Sequence, residues 1–257
     1  MSWFKNIVGA LVKQGDFDEE FILMLVCSLI INKPFLIVGD ITNFESVFSC
    51  FSDFESLDCQ ATTSIEPLLQ NQPLKYVLVT NLQAAPESML AEIAVAMASK
   101  PNLILCITSS HLWTLPSSIL RQIPMSYLLS KPFIEIQKME LLLPSFLSDL
   151  QQKVAKVYVS PHISVKIHQI ILYCHKQQMV MRYDGSKQDF ILGLKALAVI
   201  LERDFLNESM IPALCEKSML HKVYYMPDIV WTILPEKRSF IEERKVIVVD
   251  AVKRELK

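Results

Sequence analysis

The sequence predicts an α/β protein, with a parallel sheet covered by helices and followed by a small all-helical unit. Three short runs, Phe35–Val38, Tyr76–Thr80 and Leu103–Ile107, are apolar on both faces, as buried parallel strands are. Residues 86–99, between the second and third runs, place Met89, Ile93 and Met97 one helical turn apart behind a Pro86-Glu87 start, which makes a strand–helix–strand unit. Beyond residue 131 the chain reads almost wholly as helices with an irregular tail. The 257 residues, 51% hydrophobic and 20% charged, are ample for a core and exclude a disordered chain.

The elements follow in order. Residues 2–13 carry Phe4, Ile7, Val8 and Leu11 at helical spacing, the pattern of an amphipathic helix packed on the domain, with a membrane-surface helix as the alternative. The apolar run 21–31 is too short to span a bilayer, and the acidic residues Asp16, Asp18, Glu19 and Glu20 before it are the reverse of a signal peptide. Ser160-Pro161 opens a helix bearing Val165, Ile167, His168, Ile171 and Leu172. A further helix over 187–203 buries Phe190, Leu194, Leu197 and Leu201, and Asn207 or Ser209 starts a short helix toward His221. Residues 246–249 read as a candidate edge strand. The expected organisation is a core over 1–130, a linker over 131–156, a helical unit over 157–225 and an extension over 226–257.

Residues 1–130 are net −6 and residues 131–257 net +4, an asymmetry that suggests two subdomains. The whole chain is net −2 and lacks interleaved basic and aromatic residues, which argues against direct nucleic-acid binding. The six cysteines form no CxxC pair and no zinc spacing, and read as reduced core residues of an intracellular protein of the cytoplasm or nucleus. Cys174, beside His175 and Lys176, is the one candidate for a reactive thiol. His162, His168 and His175 lack chelating spacing, and no metal is expected. Ser109, Ser110 and His111 are adjacent on a strand end with no nucleophile elbow, so no catalytic triad is expected. The Lys237-Arg238 and Arg244-Lys245 pairs are interrupted by Glu236, Glu242 and Glu243 and read as a solvated face.

Only five glycines occur, and Gly39 is the only one between Gly15 and Gly185. It ends the first strand and opens Gly39-Asp40-Ile41-Thr42-Asn43-Phe44-Glu45-Ser46, which has the length of a phosphate-binding loop, G-x-x-x-x-G-K-[ST], with its first glycine and last serine. The segment from Thr80-Asn81 to Ala85-Pro86 resembles the Walker B stretch of the MoxR and magnesium-chelatase branch of AAA+ ATPases, D-E-x-N-R-A-P. Ile107-Thr108-Ser109-Ser110 is similar to the sensor 1 strand, and 115–123 to the L-P-x-A-L-L-D-R-F segment that bears an arginine finger. Val157 to Pro161 resembles the entry to that family's lid, and Gly185-Ser186-Lys187-Gln188 its sensor 2 motif. Ala196-Leu197-Ala198, Glu202-Arg203-Asp204-Phe205 and Leu220-His221-Lys222 follow the lid in order. The likeness spans residues 15–225 and implies a P-loop-like AAA+ core followed by a lid. A small fungal family, maintenance of telomere capping protein 2, is similar in coupling a reduced core to this lid.

The resemblance also marks what is missing. Where the P-loop has its lysine this chain has Glu45, so attraction for phosphate becomes repulsion. Where its second glycine admits the phosphates there is Phe44, whose ring is expected to fill that space. The two Walker B carboxylates are Thr80 and Asn81, neither of which can act as a base. Gln122 stands at the arginine-finger position with Arg121 one residue early, Gln188 at sensor 2 and Ser110 at sensor 1. The degenerate set is therefore Gly39, Phe44, Glu45, Ser46, Thr80, Asn81, Ser110, Gln122 and Gln188, with no catalytic residue and no cofactor expected. This implies a pseudo-ATPase that serves as a protein-interaction scaffold, with an active AAA+ relative or a genome-maintenance or telomere assembly as partner. A nucleotide-binding ATPase with divergent motifs and a nucleic-acid-associated module are the alternatives.

Overall fold

The computed structural model describes residues 2–15, 17–51, 53–62, 65, 76–99, 103–107, 115–129, 132–133, 135–176, 179–181, 186–219, 223–225 and 237–256. The chain opens with α1 (Ser2–Val12) and α2 (Glu19–Ile31). The sheet region then runs β1 (Phe35–Val38), α3 (Phe44–Phe48), β2 (Phe54–Asp58), β3 (Tyr76–Thr80), α4 (Glu87–Ser99), β4 (Leu103–Ile107), α5 (Ser117–Leu120) and β5 (Met125–Leu128). The strands form one parallel sheet in the order β2-β3-β4-β1-β5. All three strands expected from sequence are present, and β2 and β5 join them at the two edges. The second half supplies α6 (Pro144–Lys156), α7 (Pro161–Lys176), β6 (Met179–Met181), α8 (Ser186–Ile200), α9 (Ile211–Met219), β7 (Val223–Tyr225) and α10 (Lys237–Glu255). It is helical as expected, with one addition: β6 and β7 pair as a short antiparallel ribbon.

Side chains alternate across the sheet, so each face has its own core. Leu36, Val38, Val77, Val79, Leu103 and Leu105 face α4 and α5 and pack with Met89, Ile93 and Ile119. Phe35, Ile37, Leu78, Ile104 and Cys106 face the other way, into a larger cluster that runs through α1, α2 and the helical second half. The centre of that cluster is α2. Its apolar run is buried on nearly every side, each residue from Phe21 to Ile31 except the half-buried Leu23 being at most 9% exposed, because the sheet lies on one side and α6 and α8 on another. Asp18 caps it, accepting hydrogen bonds from the backbone N–H groups of Glu20 at 2.9 Å and Phe21 at 3.4 Å. Asn32 ends it in the left-handed conformation, φ 49°. Phe4, Ile7, Val8 and Leu11 of α1 are buried against the same cluster, which accounts for their spacing.

Two expectations are corrected. The segment 131–156 is more than a linker, since α6 occupies 144–156 and buries Leu150 and Val154 against the core. Residues 246–249 are helical, within α10, where Val248, Ala251 and Val252 are buried at helical spacing. The buried stripe of α7 is Ile163, Ile167, Ile170 and Cys174, and Val165 and Leu172 face solvent. That helix has apolar residues on two sides, and contacts with α8 and α10 decide which side is inside.

Candidate functional site

In a parallel α/β sheet ligands bind beyond the carboxyl ends of the strands. Gly39, Glu45, Ser46, Thr80 and Asn81 gather at that end, after β1 and β3. Gln122 does not. It precedes β5, beside Lys33 and Pro34 that precede β1, and so sits at the amino-terminal edge of the sheet. There its amide N–H groups donate to the carbonyls of Ser118 at 2.7 Å and Ala94 at 2.9 Å, which ties α5 to α4. Gln188 is exposed on the first turn of α8. Ser110, with Ser109 and His111, lies outside the described residues. So do Gly185, His221 and the Lys237-Arg238 side chains.

The loop after β1 is closed by its own chemistry. Asp40 Oδ1 accepts from the Thr42 N–H at 2.9 Å and the Thr42 hydroxyl at 2.6 Å, an Asx turn whose hydroxyl bond, first, and N–H bond, second, hold the Asp40 carboxyl below its ordinary range. The chain after β5 runs back over the loop. The Leu129 N–H donates to the Val38 carbonyl at 2.8 Å, the Phe133 N–H to the Thr42 carbonyl at 3.2 Å, and the Asn43 side chain to the Phe133 carbonyl at 3.1 Å. Ser46, the residue a P-loop would offer to a metal, donates its hydroxyl to the Asn43 carbonyl at 2.8 Å and accepts from the Ile136 N–H at 3.3 Å. The helix after the loop, α3, has five residues, too few for a strong amino-terminal dipole.

Phe44 does not fill the loop as expected. Its ring is 1% exposed and turns into the core, stacked on Phe48 at 5.6 Å, tilted against Phe133 at 5.2 Å and edge-on to Phe21 at 5.9 Å. The residue against Gly39 is instead Leu129. A Cβ on Gly39 would meet Leu129 Cβ at 2.9 Å and its carbonyl oxygen at 3.3 Å. Glu45 is exposed and accepts a hydrogen bond from the Ser56 hydroxyl on β2 at 2.5 Å.

At the β3 end, the Thr80 hydroxyl donates to the Leu57 carbonyl at 3.4 Å. Asn81 is left-handed at φ 52° and donates its amide to Asp58 Oδ1 at 2.9 Å, while its own oxygen accepts from Gln83 at 3.3 Å. Asp58, the last residue of β2, was not among the sequence candidates. Its carboxyl is held below the ordinary range by the Asn81 amide first and by the Gln60 N–H second, so it is a poor proton acceptor near neutrality. Among the described residues, the carboxyl end of the sheet thus presents the carboxylates Asp40, Glu45 and Asp58. Among the described residues no three His, Cys, Asp or Glu side chains are grouped to hold a metal.

Cys174 is fully buried on α7, and burial pushes its thiol up to about 12, the reverse of an activated nucleophile. The other five cysteines are also buried. His162 contacts Glu208 at 2.6 Å, and Lys166 bonds both Glu208 at 3.1 Å and the Glu255 carbonyl at 3.1 Å, which fastens α7 to the end of α10.

No protein-family model matches the sequence. No curated protein matches it either. Among solved structures, a 2.00 Å crystal structure described as a "putative ATPase" from Cytophaga hutchinsonii superposes with a TM-score of 0.71. The match covers 95% of this chain and 93% of that one at 12% sequence identity. Likeness at that identity speaks to fold alone: a parallel-sheet core followed by a small helical unit. No helix among the described residues is long and apolar enough to cross a membrane.

Proposed function

We propose that this chain is a non-catalytic relative of AAA+ ATPases that works inside the cell by binding another protein. The observation that carries the reading is the loop after β1. Glu45 stands where a P-loop presents a lysine, and the loop's polar groups are bonded to one another and to Phe133 and Ile136. A triphosphate brought there would meet Asp40, Glu45 and Asp58 with no lysine or arginine supplied by the loop, and an arginine finger can be worth about 10³ or more in rate where it operates. The sheet and its two cores, which carry the fold, are intact. A fold preserved without its charged ligands is what a scaffold retains.

The sequence resemblance suggests the partner classes: an active AAA+ protein, or a genome-maintenance assembly of the kind served by the fungal telomere capping family. The test is phosphate release from ATP with magnesium. The expected result is a rate equal to the protein-free blank and unchanged in Ser46→Ala. Turnover above the blank that Ser46→Ala abolishes would establish a divergent ATPase instead.

A further inference from the structure

A groove of about 680 Å³ opens at the amino-terminal edge of the sheet, at the opposite end from the loop after β1. Pro34 and the α4 residues Ala94, Val95 and Ala98 give it an apolar lining. Val95 is 71% exposed, the highest value for a large hydrophobic residue among those described. The helix α4 is apolar nearly all round: Met89, Ile93, Ala96 and Met97 are buried, and its outer face shows Ala91, Val95 and Ala98 where a solvated helix carries charge. Lys33 and Arg121 line the same groove and make no side-chain hydrogen bond or ion pair among the described residues. The acidic first half, residues 1–130, holds only six Lys and Arg residues, and two of them meet here. Asp189 is the one carboxylate in the lining and already has a partner.

We propose that this groove docks an acidic segment of a partner protein, with an aliphatic or aromatic side chain seated on Val95 and Ala98 and carboxylates meeting Lys33 and Arg121. The proposal rests on the reading that the chain acts through protein contacts. An apolar centre with cations at its margin is the arrangement of a small protein interface. Arg121, a planar fork of donors, favours a carboxylate. Two cations are too few for a nucleic-acid backbone, and the alanine and valine lining offers no surface for stacking bases.

The full-length chain is panned against a random-peptide phage library, and enriched peptides are titrated by fluorescence anisotropy. The expected binders pair Asp or Glu with a large apolar residue. Their affinity should weaken about tenfold or more in Lys33→Glu/Arg121→Glu, fall with added salt, and be lost separately in Val95→Asp. Circular dichroism checks each variant's fold. Should the double variant unfold, Val95→Asp and peptides with Lys in place of Asp or Glu decide the outcome. Enrichment of no binder, binders without acidic residues, or binding indifferent to these changes would overturn the proposal. So would concentration-dependent self-association abolished by Val95→Asp, because a second copy would then be the occupant. None of these readouts involves nucleotide, so their failure leaves the non-catalytic reading standing.

Discussion

The backbone itself requires a glycine at Gly39. Its φ of 138° is a conformation that L side chains rarely adopt, and Leu129 is packed where a Cβ would go. Gly39→Ala should therefore cost about 1–3 kcal/mol, seen as a lower urea midpoint with an unchanged slope. A glycine kept purely for nucleotide would show no such loss. The cysteines give a second residue-level test. Burial raises the Cys59 thiol to about 11 and the Cys174 thiol to about 12, from an ordinary value near 9.0. A folded-state value above the unfolded one means that the unfolded chain releases protons first as pH rises. Stability should hold up to about pH 9 and fall from there toward pH 11–12. Thiol titration of the native protein at pH 8 should label no cysteine rapidly. Asp40 and Asp58, both depressed, act in the opposite sense: whatever stability they add is present above their ordinary range and lost as pH falls below it, and their exposure keeps the effect small.

At the scale of elements, the joint between the sheet and the helices is a small polar cluster. The Tyr127 hydroxyl on β5 donates to Asp18, the cap of α2. Lys217 of α9, itself 9% exposed, lies 4.5 Å from the centre of the Tyr127 ring and 3.4 Å from Glu20. Tyr127→Phe removes a charge-assisted hydrogen bond and should cost about 1.5–3 kcal/mol in chemical denaturation. Lys217→Met should cost less, within about 1 kcal/mol, because Glu20 is half-exposed and returns to water, while the methionine keeps the packing. The elements also differ in how legible they were. β1, β3 and β4 are central or nearly so and apolar on both faces, so their residues announce them. β2 reads Phe-Glu-Ser-Leu-Asp with only Leu57 buried, as an edge strand can, and β5 is four residues with a serine among them. Residues 246–249 had β-branched composition, but packing of α10 on α7 and α9 overrode that preference.

Across the whole molecule, one cluster of buried side chains joins the sheet to the helical half, with α2 between them. The order of motifs along the chain was enough to indicate this architecture, because strands and buried helices are written as apolar runs. The site was legible only as a set of losses. Its closure depends on Leu129, Phe133 and Ile136 bonding back to the loop, and on Asp58 meeting Asn81 between neighbouring strand ends, contacts between residues far apart in sequence with no local pattern. Phe44 shows the limit most plainly: its spacing from Gly39 puts it in the loop, while its ring belongs to the core. Among the described residues, the loop after β1 carries Asp40 and Glu45 and is closed by its own hydrogen bonds. Calorimetric titration of the full chain with millimolar ATP and magnesium tests this most directly. The expected heats are no larger than those of dilution, and a saturable binding isotherm would contradict a closed, anionic loop.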